Sequence, residues 1–255
     1  MRYLRFLLGF FLGLDLIKSN RTKLNLLTRK LFLYKKTIQD SNEGYAHISP
    51  LPSKKELNEY YSSKFWTIHG EKVSNINIRD ISHYLFLKEK LNHFLKRKIT
   101  ILNFGAGHGG ISHLFWLDGH NVINVEPSKI PDFYSSRWTS FKSIDLVNSG
   151  EIDLIYSSHS LEHLEEITHY KKEFKRVLNK EGYVFIEVPN GINVIGNKLS
   201  KINPPHTFYF REDFFLNWFK TKIFIDTLKF EETDLENHRR LIKQDGEIIR
   251  ALGKI

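Results

Sequence analysis

The 255-residue chain is 41% hydrophobic and 26% charged, has a formal net charge of +9 and contains no cysteine. That length suits one α/β domain with additions, and the composition allows a sizeable core. Without cysteine there are no disulfides and no thiolate metal sites, and a reducing cytosol is compatible.

The charge sits at one end. Residues 1–40 hold nine Lys/Arg and two acids, a net +7, which leaves +2 for the remainder. Residues 6–17 are apolar except for Asp15 and follow Arg2 and Arg5. A basic start before an apolar run is signal-peptide-like, but no small-residue cleavage pattern follows. The run is also shorter than the roughly 20 residues that cross a bilayer. Leu24, Leu27, Leu31, Tyr34 and Ile38 then recur at helical spacing among basic residues, which predicts a basic amphipathic helix. Residues 1–45 are therefore read as a helical arm. It packs on the main domain, pairs with a second copy, or makes peripheral contact with an anionic membrane surface. The neutral remainder argues against a nucleic-acid partner.

Residues 46–255 form the main domain, with its core starting near residue 80. Ser53 and Glu56 make a capping box for a short helix over 54–61. Residues 66–77 read as loop, and 79–96 as a helix. An alternating pattern follows: a strand at 99–104, a helix at 110–117 and a strand at 122–126. A connection marked by Pro127 and Pro131 leads to a short strand near 141–144, and another strand covers 153–157. A helix over 161–178 stops at Gly182, before a strand at 183–188. A helix at 211–219 and strands near 224–230 and 247–252 complete the chain. Strands alternating with helices predict a mainly parallel sheet covered on both faces. Ligands of such sheets lie beyond the carboxyl ends of the strands.

After the first of these strands comes Gly105-Ala-Gly-His-Gly-Gly110, and the next strand ends in Glu126. Glycines let the backbone approach a ligand, and the acid can accept hydrogen bonds from ribose hydroxyls. Gly105, Gly107 and Gly110 fit a dinucleotide fingerprint. Gly105, Gly107 and Gly109 fit a tighter one, so the glycines alone admit two cofactors.

The segments ILNFGAGHGG, INVEPS, IDLIYSSHSLEHL, FKRVLNKEGYVFIEVPN and HTFYF, preceded by PLPSKKELNEYY, resemble class I S-adenosylmethionine-dependent methyltransferases of the bacterial type 11, 12 and 23 group. The resemblance covers about residues 48–253. It implies a Rossmann-like sheet of seven mostly parallel strands, the last antiparallel, and S-adenosylmethionine as cofactor. It implies that Gly105, Ala106, Gly107 and Gly109 pass under the methionine part. It implies that Glu126, followed by Pro127, holds the ribose, and that Asp145 lies near the adenine. Ser157, Ser158 and His159 would border the cofactor and acceptor. The family usually carries an acid where this chain has Asn103; the amide keeps an acceptor oxygen without the charge.

Methyl transfer needs an oriented nucleophile and, for a hydroxyl, a base. His159, His163 and His206 are the candidates, the first two sharing a face if one helix carries both. Glu162 and His163 lack a clear third and fourth ligand, so no metal is expected. The expected activity is O-methylation of a small-molecule, sugar or nucleotide-sugar acceptor in surface-polysaccharide (capsule) assembly, in the cytoplasm. Alternatives are a nicotinamide-dependent oxidoreductase, a non-catalytic protein that keeps the cofactor fold, and RNA or protein methylation.

Overall fold

The computed structural model describes residues 24–62, 76–128, 137–191, 202–229, 242–243 and 246–255. In chain order the principal elements are β1 (Thr37–Asp40), β2 (Tyr45–Ser49), α1 (Lys54–Ser62), α2 (Ile78–Lys90), α3 (Asn92–Leu95) and β3 (Thr100–Phe104). Next come α4 (Gly110–Leu117), β4 (Asn121–Val125), β5 (Thr139–Phe141), β6 (Ile152–Ser158), α5 (Ile167–Val177) and β7 (Leu178–Pro189). The last are β8 (Phe208–Phe210), α6 (Glu212–Trp218), β9 (Thr221–Lys229), β10 (Ile242–Lys243) and β11 (Ile248–Lys254).

The main sheet has the order β10-β9-β11-β7-β6-β3-β4-β5. β5, β4, β3, β6 and β7 are mutually parallel, and β11 runs antiparallel between β7 and β9. Apart from the two-residue β10, this is the expected seven-stranded sheet with its last strand antiparallel. Its central strands are apolar on both faces because helices cover both. Leu102, Ile155, Val184 and Ile186 join Phe174 of α5 and Phe214 of α6 in one core. Their neighbours Ile101, Leu154 and Phe185 join Leu87 of α2 and Phe115 of α4 in the other. Each such side chain contributes about 1.5–3 kcal/mol by leaving water. The chain leaves β3 toward β4 and returns to β6 on the other side, so the switch point lies between β3 and β6.

Several boundaries differ from the sequence expectation. Helix 161–178 is a 3₁₀ turn, Leu161–His163, followed by α5. Gly182 is not its stop: it lies inside β7, in a bulge where Asn179 reaches Asp153 and Leu178 closes over it. A Cβ there would stand 2.7 Å from Leu178, so packing against the bulge calls for glycine. The short third strand ends at Phe141, because Ser143 caps a 3₁₀ turn over Ile144–Leu146. The predicted helix around residue 87 begins at Ile78, on a capping box made by Asn77 and Asp80. The Ser53–Glu56 capping box is present as expected.

Helical pattern in the arm stops earlier than its periodicity suggests. The described part turns at Tyr34 and Lys35, and Ile38 lies in β1, paired with Ile48 of β2. β2 pairs in turn with β8, giving a second, three-stranded sheet. Leu24, Leu31 and Phe32 are buried against Ile48, Leu57, Tyr60 and Tyr209 in a third core. Residues 1–23, most of the predicted 66–77 loop, and residues 129–136 of the proline-marked connection lie outside the described residues. Among the described residues no helix is long and apolar enough to cross a membrane.

Candidate active site

β3 ends in the glycine turn. Gly105, Gly107 and Gly109 have φ of 72°, 51° and 74°, the left-handed region that side chains disfavour. These are the glycines of the tighter spacing; Gly110 is simply the first residue of α4. A Cβ on Gly105 would overlap the side chain of Ser160, whereas at Gly107 it would project into open space. That space is a cavity of about 550 Å³ beyond the carboxyl ends of β3, β4 and β6.

Glu126, at the end of β4, faces the turn. One carboxylate oxygen accepts the Gly107 N–H at 3.0 Å, and the other accepts the Ser128 N–H and hydroxyl at 3.0 and 2.6 Å. A carboxylate has about four acceptor positions, and with three taken about one remains for a ligand hydroxyl. Asn103 lines the floor. Its amide donates to Ser112 (2.8 Å), whose hydroxyl donates to Asn124 (2.7 Å). The missing acid at 103 is thus part of a neutral chain joining β3, α4 and β4.

Ala106, Pro127, Ser158, His159 and His163 also line the cavity. Ser157, Asp145 and His206 do not line it. Ser157 is fully buried within β6. Asp145 sits on the 3₁₀ turn after β5 and faces Lys54 (3.5 Å) and His169 (3.2 Å). A second wall, absent from the sequence expectation, is made by Lys54, Leu57, Asn58 and Tyr61 of α1. Their i, i+3, i+4, i+7 spacing was the available signal. Arg79 and Asp80, at the start of α2, join this wall.

His159 and His163 do not share a helix. His159 precedes the 3₁₀ turn with φ of 50°, an uncommon conformation for a residue with a side chain. Its backbone N–H donates to Glu187 O at 2.8 Å. Nδ1 lies 3.3 Å from Glu162, and Nε2 lies 3.7 Å from Glu187. Burial pulls the His159 pKa down, but these two carboxylates outweigh it and raise it to about 9. At neutral pH His159 is therefore a cation and a proton donor, which argues against its role as a base.

Behind it lies a fully buried network. The Tyr156 hydroxyl donates to His83 Nδ1 (2.7 Å), and His83 Nε2 stands 2.9 Å from Glu187. Arg250 Nε and Nη2 donate to the same Glu187 oxygen at 2.9 and 2.7 Å. Burial alone would raise the Glu187 pKa, but His83, His159 and Arg250 hold it well below the usual carboxylate range. His83 itself falls to about 4, chiefly through burial.

His206 stands on a separate loop, its ring 5.1 Å from that of His163. Burial and the neighbouring His163 lower its pKa to about 4. The fold therefore places beside Glu162 and His163 a third ligand-type side chain that linear spacing did not reveal.

A family model described as a methyltransferase domain matches residues 78–221. The chain belongs to that methyltransferase family. A structure of 1,6-didemethyltoxoflavin-N1-methyltransferase from Burkholderia thailandensis, with bound 1,6-didemethyltoxoflavin and S-adenosylhomocysteine, superposes with a TM-score of 0.55 at 15% identity. That match covers 87% of this chain and 97% of the other. A SAM-dependent methyltransferase from Archaeoglobus fulgidus gives a TM-score of 0.48 at 16% identity, covering 68% and 99% of the two chains. An uncharacterized methyltransferase of Bacillus cytotoxicus is 29% identical over 96 residues, 33% of this chain. The match spans 44% of that relative's length. The Burkholderia thailandensis enzyme holds S-adenosylhomocysteine, and the residues of the present site fit such a group. The open face at Gly107 is a cradle that a Cβ would fill, and Glu126 is directed at it.

Proposed function

We propose that this methyltransferase transfers the methyl group of S-adenosylmethionine to a hydroxyl of a small, phosphate-bearing, sugar-type acceptor. The left-handed turn Gly105–Gly109 facing Glu126 across one cavity carries the reading. The turn and Glu126 hold the methionine and ribose parts, and Asn103 stands beneath them. S-adenosylmethionine supplies an activated methyl and an excellent leaving group, so the protein mainly aligns the nucleophile.

The acceptor end is formed by Tyr61, His159 and His163, with Lys54 and Arg79 on the same cavity wall. Lys54 pairs with Asp145, and Arg79 is the cation that favours an anionic acceptor, as in a nucleotide sugar. The His159 imidazolium lends positive charge beside the acceptor oxygen, and His163 stands next to it. Surface-polysaccharide assembly in the cytoplasm is the setting that suits such an acceptor. The basic arm is then suited to anionic, lipid-linked intermediates.

Calorimetry with S-adenosylhomocysteine, followed by incubation with S-adenosylmethionine and a panel of nucleotide sugars, tests this. The expected result is cofactor binding and a one-methyl mass gain on a nucleotide sugar. Methyl transfer confined to uncharged acceptors would overturn the acceptor assignment, and lack of cofactor binding would overturn the site.

A further inference from the structure

We propose that Glu162, His163 and His206 form a binding site for a divalent metal ion of the zinc class, set in the wall of the acceptor end. One potential ligand atom from each residue lies within 4.8 Å of those of the other two. Glu162 is only 1% exposed, and neither of its carboxylate oxygens accepts a hydrogen bond. The His159 imidazolium, 3.3 Å away, offsets part of the charge of this carboxylate, and its oxygens keep acceptor positions for a coordinated cation.

Orientation of the His163 imidazole supports the same conclusion. His163 Nδ1 lies 3.3 Å from the carbonyl oxygen of Pro205. A carbonyl only accepts, so Nδ1 carries the proton and donates. His163 Nε2, the ring's other nitrogen, stands 3.8 Å from Glu162 Oε1. A ligating histidine whose other nitrogen donates to a backbone carbonyl is the usual outer-sphere arrangement of metal sites.

The three side chains come from segments held in fixed register. Thr207 donates its N–H to Glu162 O (2.7 Å), and its hydroxyl faces Glu162 O and Leu164 O at 2.9 and 2.6 Å. These bonds, with the His163–Pro205 contact, fasten the 3₁₀ turn to the loop that carries His206. His159 Nδ1, 3.3 Å from Glu162, lies against the same carboxylate and would steady it from the other side.

Two imidazoles and one carboxylate suit zinc, cobalt or nickel; magnesium and calcium prefer oxygen ligands. Zinc–nitrogen bonds are about 2.0–2.1 Å, so the cluster would contract on loading, through side-chain rotation. Three protein ligands leave a position for an exchangeable oxygen ligand, and His163, which lines the cavity, puts the ion next to the acceptor.

The test uses the tag-free full chain after treatment with a chelator. Cobalt(II) chloride is titrated in while visible d–d absorption is followed, and zinc chloride is then added to displace it. The expected result is one high-affinity cobalt per chain, displaced by zinc, with no competition from magnesium chloride. H206A and E162Q should each weaken cobalt binding at least about tenfold. H206A should keep its affinity for S-adenosylhomocysteine, because His206 lies outside the cavity; if it does not fold, H206Q carries the comparison. A wild-type chain without d–d bands, or variants that bind cobalt as tightly as wild type, would overturn the site. Binding of S-adenosylhomocysteine is read separately, so failure of the proposed reaction and failure of the metal site are distinguishable.

Discussion

Glu126 and Gly105 separate two roles within one loop. Glu126 reaches the Gly107 N–H across open cavity, while Gly105 lies tight against Ser160. Replacing Glu126 by Ala removes a charged acceptor at the ribose position, and S-adenosylhomocysteine affinity should fall by about 1–3 kcal/mol in calorimetry. An unchanged dissociation constant would remove the ribose assignment. Gly105→Ala should act on stability instead. Its Cβ would overlap Ser160, and its φ of 72° is strained for alanine. Overpacking of this kind costs about 1–3 kcal/mol. Adding Ser160→Gly should recover the steric part and leave the backbone part, a non-additivity that urea titration of both single variants and the double variant can measure.

At the scale of elements, α2, β6, β7 and β11 meet at the buried set His83, Tyr156, Glu187 and Arg250. His83 titrates near 6.5 when unfolded and near 4 in the fold. Below pH 6.5 the unfolded chain takes up this proton while the folded chain resists it. Stability contributed by the neutral ring is therefore complete above pH 6.5 and is lost as pH falls toward 4. The loss is on the order of 3 kcal/mol. Urea midpoints across that window should decline more steeply for wild type than for His83→Gln; parallel curves would mean that His83 is not held neutral. Much of this architecture was legible in advance, because β3, β6 and β7 are apolar runs of strand length and Glu126 ends its strand. The parts that were not legible depend on distant partners. Gly182 looks like a helix stop, yet its role depends on Leu178 and Asp153 closing a bulge. His159 and His163 have helical spacing, but the turn through Leu161–His163 is fixed by Thr207, 45 residues from Glu162. No local periodicity encodes that fastening, nor the arrival of His206 beside Glu162.

For the whole molecule, the small sheet and the arm bear on the proposed acceptor end rather than on the proposed cofactor end. Phe32 is fully buried and meets Tyr60 of α1 edge-on, with ring centroids 5.1 Å apart. α1 in turn gives the cavity Lys54, Asn58 and Tyr61. The glycine turn and Glu126 belong to β3 and β4, which pack in other cores. Phe32→Ala leaves a cavity beneath α1, a change that costs about 3–5 kcal/mol in a well-packed core. If the residual fold persists, α1 loses its support while β3 and β4 keep theirs. The expected outcome is a raised KM for the acceptor with S-adenosylhomocysteine affinity close to wild type. Steady-state kinetics beside calorimetry distinguishes this from general loosening, in which both affinities would fall together. Equal losses at the two ends would show that the third core supports the whole domain, and that the acceptor wall is not a separately braced element.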